Sequence, residues 1–260
     1  MRVFRRFATP VALIFVGAFL TQCGAPSPPA PTTTSTTTVP TTTTSTRTTS
    51  TRTTPPTTAS TAKPTTRPTP TTPTPAAATV RPVTAAELGA SWRPGCPVGP
   101  ELLRRVSLDH VGFDGQTHRG ELIVHQDLVA DVIAVFEQLY RLRYPIEKMR
   151  TVEHYPDALD ELSMEDNNTS AFNCRPLPSG RGWSLHAYGR AIDINPLINP
   201  YIDSRGNIEP KNAGPFLDRA RTDPGMLHAG DPAVLAFTDR GWRWGGDWRT
   251  PKDYQHFERR

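Results

Sequence analysis

The sequence predicts an α+β fold: a single compact domain with a small, mainly antiparallel sheet and packed helices, following a disordered Thr/Pro-rich linker. Three observations point there. Apolar residues recur at three- and four-residue spacings between Gln126 and Tyr144, as on one face of a helix. Short β-prone runs, separated by Gly and Pro, do not alternate with helices in the regular way a doubly wound parallel sheet needs. No Asp or Glu occurs before Glu87, so the residues able to build a charged surface around a core all lie downstream.

In chain order, the first element is for targeting. Arg2, Arg5 and Arg6 precede an apolar run from Val11 to Leu20, the layout of a secretory signal over residues 1–23. At 1.5 Å per residue that run is too short to cross a hydrocarbon core of about 30 Å. Leu20-Thr21-Gln22-Cys23-Gly24 resembles a bacterial lipobox, which implies lipidation of Cys23. An ordinary secretory signal is the alternative.

Residues 24–80 form the linker. Of Ala25–Thr79, 26 residues are Thr and 12 are Pro, and Val39 is the one large aliphatic side chain. Such a stretch has too little apolar surface to offset its ordering entropy and acts as a spacer with polyproline II character. It also distorts the overall charge. The formal net charge is +4, but residues 1–86 hold 8 of the 29 basic residues and none of the 25 acidic ones, leaving the rest at −4. The excess positive charge covers no folded surface, so nucleic acid is not an expected partner.

The folded domain is expected over 87–260. Within it, Leu128, Val132, Val135, Phe136, Leu139 and Leu142 form the apolar stripe of a helix over Gln126–Tyr144, stopped by Pro145. Asp231-Pro232 opens a second, shorter helix that carries Val234, Leu235 and Phe237 and ends before Gly241. Glu121–Val124, Met149–Val152, Ala191–Ile194 and Tyr254–Phe257 read as short strands. Three cysteines in an exported chain leave one over once a pair forms. Cys23 is the spare, and Cys96 with Cys174 makes a disulfide stabilising the domain by roughly 4 kcal/mol in the chain-entropy model. Two free thiols are the alternative.

The densest chemistry lies in Ser184-Leu-His186-Ala-Tyr188-Gly189-Arg-Ala191-Ile-Asp193 and in Asp253-Tyr-Gln-His256. His186, Asp193 and His256 can supply two nitrogens and one oxygen to Zn2+, leaving a fourth tetrahedral position open, as in a catalytic zinc site. His186 and Asp193 are seven apart, which puts them on opposite faces of a straight strand, so the chain must bend between them, and Gly189 permits it. Asp253 and His256 converge only if Asp253 sits in the turn entering the last strand.

These motifs resemble the M15 metallopeptidases, which include D-alanyl-D-alanine carboxypeptidases and L-alanyl-D-glutamate endopeptidases. The resemblance rests on Ser-x-His-x-x-Gly-x-Ala-x-Asp at 184–193, Asp-x-x-His at 253–256 and an upstream Arg175. It implies that His186, Asp193 and His256 hold zinc, that Asp253 is the general base and that Arg175 steadies the developing oxyanion. The function implied is zinc-dependent hydrolysis of peptide bonds in peptidoglycan stem peptides by an exported monomer. The chain is then held at the cell membrane by lipid or signal segment and faces the bacterial wall, or is secreted. A catalytically inactive peptidoglycan-binding module on the same fold is the alternative.

Around the centre, Ser184, Tyr188 and Trp244 are the expected substrate contacts. Trp242, Trp244 and Trp248 beside Gly245-Gly246 fit a groove or core packing equally well. Ser184 lacks the glycine elbow of a nucleophile. His110, His118 and His125 are expected on the surface or in the core rather than on a metal.

Overall fold

A computed structural model describes residues 74–177 and 180–260. The signal segment, Cys23 and most of the linker lie outside the described residues. Along the chain come β1 (Thr79–Pro82), α1 (Ala85–Leu88), β2 (Leu103–Val111), β3 (Thr117–His125), α2 (Val129–Arg141), β4 (Lys148–Met149), α3 (Asp160–Glu165) and β5 (Asn168–Thr169). These are followed by β6 (Ala191–Asp193), β7 (Tyr201–Ile202), β8 (Ile208–Glu209), α4 (Pro232–Thr238), β9 (Arg243–Trp244), β10 (Lys252–Asp253) and β11 (His256–Glu258). The strands form sheets ordered β1-β2-β3, β10-β7-β8 and β6-β11-β9, all antiparallel, plus a parallel β4–β5 pair. The fold is therefore mixed α+β.

The largest ladder joins β2 to β3 from Leu103↔His125 to Val111↔Thr117 around a turn at Gly112–Gln116. Only the end of this hairpin was legible as a strand, because β2 carries Arg104, Arg105, Ser107 and Asp109 between its apolar residues. Arg105 points inward nonetheless. Its guanidinium is buried, bonded to Glu121 (2.9 Å), Glu153 (2.7 Å) and Thr151 (3.2 Å).

Ordered structure also begins earlier than the expected boundaries at residues 80 and 87. β1 pairs with the edge of β2 from Thr79↔Ser107 to Pro82↔Arg104, and the Ala76 N–H donates to Asp109 (2.7 Å). All four β1 residues are exposed, so the strand is held by backbone pairing that satisfies an open sheet edge, a cause that hydrophobic patterning does not reveal.

α2 packs Val132, Val135, Phe136 and Leu139 into the main core with Val106, Leu122, Val124, Ile192, Phe237 and Phe257. The predicted helix loses its first turn to a 3-10 segment, Gln126–Leu128, and its last residues to the reversal at Arg143, which has φ 53°. α4 starts with Asp231 at the N-cap and Pro232 at N1, but the Asp231 carboxylate accepts from the His228 N–H (2.9 Å) instead of capping its own helix. A smaller core surrounds Leu88, Leu103, Ile123, Phe172 and the Cys96–Cys174 disulfide, whose Cα atoms are 5.9 Å apart.

Two predicted strands are redrawn. The 149–152 run shrinks to β4 and continues as a 3-10 turn, Val152–His154. The 254–257 run breaks at Tyr254-Gln255, placing Asp253 on β10 and His256 on β11, in different sheets.

Candidate metal centre and its cavity

His186 is presented by a 3-10 turn, Leu185–Tyr188. The Ser184 hydroxyl caps it by accepting the His186 N–H (3.3 Å), the familiar use of serine at a helix start. The turn closes on Gly189 at φ 67°, and a Cβ there would stand 2.6 Å from the His125 backbone nitrogen. Glycine is thus required by both conformation and space, and the reversal it makes feeds the chain into β6. The predicted bend between His186 and Asp193 is found at this point.

β6 pairs with β11 so that Asp193 faces His256 directly. His256 Nδ1 lies 3.0 Å from Asp193 Oδ1, and His186 Nε2 lies 3.1 Å from both Asp193 Oδ2 and His256 Nδ1. All three side chains are buried, and their ligand atoms fall within 4.8 Å of one another. The second ring nitrogen of His186 meets the Ala171 carbonyl. A carbonyl only accepts, so Nδ1 carries the proton and Nε2 keeps its lone pair for the centre. Two imidazoles and a carboxylate converging with a free lone pair fit a divalent transition ion such as zinc.

The electrostatics agree. Burial opposes ionisation of Asp193, but the two imidazoles outweigh it and hold the carboxyl well below the usual range. Burial likewise disfavours a charged His256, yet its hydrogen bonds to Asp193 and Glu258 lift it to about 10. Carboxylates thus flank the His256 ring on both sides, Asp193 at Nδ1 and Glu258 at Nε2. Asp253 behaves oppositely: burial, reinforced by Asp193, pushes it up to about 7 against the pull of His256 and Arg175. Its Oδ1 has no hydrogen-bond partner among the described residues.

A cavity of about 610 Å3 opens beside the centre, and Asp253, His256, Arg175, Ser184 and Tyr188 line it. Arg175 reaches it while paired with Asp160 (2.9 Å), a partner the sequence did not reveal because the two are far apart in the chain. Trp244 does not line it. That indole is buried in the main core, stacked on Phe257 with its N–H donated to the Tyr254 carbonyl (2.8 Å), because β9 turns it inward. Trp248 lines the cavity instead, with its ring 5.4 Å from that of His256.

Glu258 was also overlooked. It is buried and lines the cavity, with Oε2 3.5 Å from His256 Nε2. The available signal was its place two residues beyond His256, on the same face of a strand. Among the described residues, no second set of metal-ligand side chains clusters as this one does. His118 bonds Asp114 (3.0 Å), His110 is buried, and His125 caps the 3-10 turn that follows it.

Comparison with the curated proteins and with the solved structures gave no match. The family model described as D-alanyl-D-alanine carboxypeptidase matches residues 178–259. That stretch holds His186, Asp193, Asp253 and His256, and Arg175 lies just before it. The match falls on the segment that builds the centre, so that this part of the chain is similar to the M15-type D-alanyl-D-alanine carboxypeptidases.

Proposed function

We propose that the protein is a zinc-dependent peptidase that hydrolyses peptide bonds in peptidoglycan stem peptides. One observation carries this reading: His186, Asp193 and His256 bring three ligand atoms together beside a carboxyl, Asp253, that burial holds near neutrality at an open cavity. The family match supports a peptidase of the wall-acting type.

Zinc held by His186, Asp193 and His256 supplies Lewis-acid polarisation of a peptide carbonyl and activation of water. The remaining work falls to the protein. Asp253 takes the proton of the attacking water on its carboxylate and passes it to the departing amine, for which a pKa near the working pH is suited. Arg175 donates to the carbonyl oxygen as negative charge gathers there. Its reach is limited by the Asp160 pair and by the disulfide at the adjacent Cys174. Ser184 and Tyr188 contact substrate along the cavity wall.

Export through residues 1–23, a lipid on Cys23 and the Thr/Pro spacer place this activity at the outer face of the membrane. A disulfide suits that oxidising setting. No helix of the described residues is long and apolar enough to cross a membrane.

The test is mass spectrometry of defined muropeptides after incubation with the zinc-loaded chain. Wild type is expected to release fragments with new amine termini, and Asp253→Asn to lose about 100-fold or more in rate. Stem peptides retained but left uncut by the wild type would replace this reading with that of a wall-binding module.

A further inference from the structure

The nitrogen a histidine offers to a metal is decided by what its other nitrogen touches. For His186 that partner is the Ala171 carbonyl. For His256 the nitrogen facing the other two donors is Nδ1, 3.0 Å from Asp193 and 3.1 Å from His186, and Nε2 points the other way, to Glu258 Oε2 at 3.5 Å. Strand geometry makes this contact: His256 and Glu258 are two apart on β11 and share a face. Register continues the chain of contacts, since Glu258 faces Arg243 on β9, whose Nη1 lies 3.3 Å from Glu258 Oε1.

We propose that Glu258 is a positioning residue for the metal centre. It accepts the Nε2–H of His256, which fixes the tautomer whose Nδ1 lone pair joins His186 Nε2 and Asp193. Arg243 occupies the second carboxylate oxygen and keeps Glu258 turned toward the ring. A buried carboxylate behind the imidazole also makes Nδ1 a stronger donor than a neutral acceptor would. The inference rests on the zinc-peptidase reading and adds to it a residue outside the three-ligand set, which acts through His256.

The experiment is a zinc titration of the full chain in competition with a chromophoric chelator, for wild type, Glu258→Ala and Glu258→Gln, with circular dichroism as the check on folding. Glu258→Ala is expected to bind zinc about 10–100-fold more weakly, and Glu258→Gln, which keeps an acceptor, to fall between it and wild type. A folded Glu258→Ala that binds zinc as tightly as wild type overturns the proposal while leaving the peptidase reading intact. A wild type that takes up no zinc sinks both. If Glu258→Ala does not fold, long-range proton–nitrogen NMR of the zinc-loaded wild type decides. His256 protonated at Nε2 supports the proposal, and protonated at Nδ1 refutes it.

Discussion

The α-carbon of Gly245 lies against the backbone of Asp253, so closely that a Cβ on Gly245 would stand 2.5 Å from the Asp253 carbonyl oxygen. Backbone cannot yield as a flexible side chain can. Gly245→Ala is therefore expected to push Asp253 out of line and lower kcat about 10–100-fold, given how steeply rate depends on the placement of a proton-transfer group. Zinc affinity should stay as it was, because no ligand is displaced. Paired measurements of kcat and zinc dissociation check this, and a parallel loss of both would contradict it.

Metal removal should cost stability as well as activity. At free zinc about 1,000-fold above the dissociation constant, binding contributes about 4 kcal/mol, corresponding to roughly 10 °C in Tm for a domain of this size. Scanning calorimetry with and without a chelator should show that drop for wild type and little or none for His256→Ala, which lacks a ligand.

Acid should destabilise the domain partly through His110. Burial, with His118 adding to it, pushes this imidazole down to about 4 from 6.5, while Asp109 and Asp114 pull weakly the other way. The unfolded chain takes up a proton that the folded chain refuses, so the contribution is complete above about pH 6.5 and is lost as pH falls toward 4. About 2 kcal/mol should disappear between pH 7.5 and 4.5. Urea midpoints at those two values, compared with His110→Gln, give the difference directly.

Arg105→Ala should be among the costlier single changes outside the centre. It strips Glu153 and Glu121 of a buried partner, for about 3 kcal/mol of unfolding free energy. Chemical denaturation measures it, and a loss below about 1 kcal/mol would show that water replaces the guanidinium.

What could be read from residues alone depended on whether the cause was local. The α2 stripe, the Asp231-Pro232 helix start and the Gly189 bend follow from side-chain spacing and backbone conformation, which the sequence displays directly. The three ligand candidates were legible because their residue types and order are chemically restrictive. β1 was not, since its stability comes from an unpaired neighbouring edge. β2 was hidden by Arg105, whose charge is neutralised by residues distant in the chain. Trp244 and Trp248 illustrate a further gap: both flank Gly245-Gly246, and only the direction in which β9 turns its indole separates core from cavity.

The break at Tyr254-Gln255 has an evolutionary corollary. Asp253 is paired with Tyr201 on β7 and thus with the stretch from Pro196 to Met226, while His256, three residues later, is paired with Asp193 on β6. On the peptidase reading proposed above, that stretch can be reshaped to admit a different peptide while the β6–β11 pairing that joins Asp193 to His256 stays in place, so selectivity and metal retention can diversify separately.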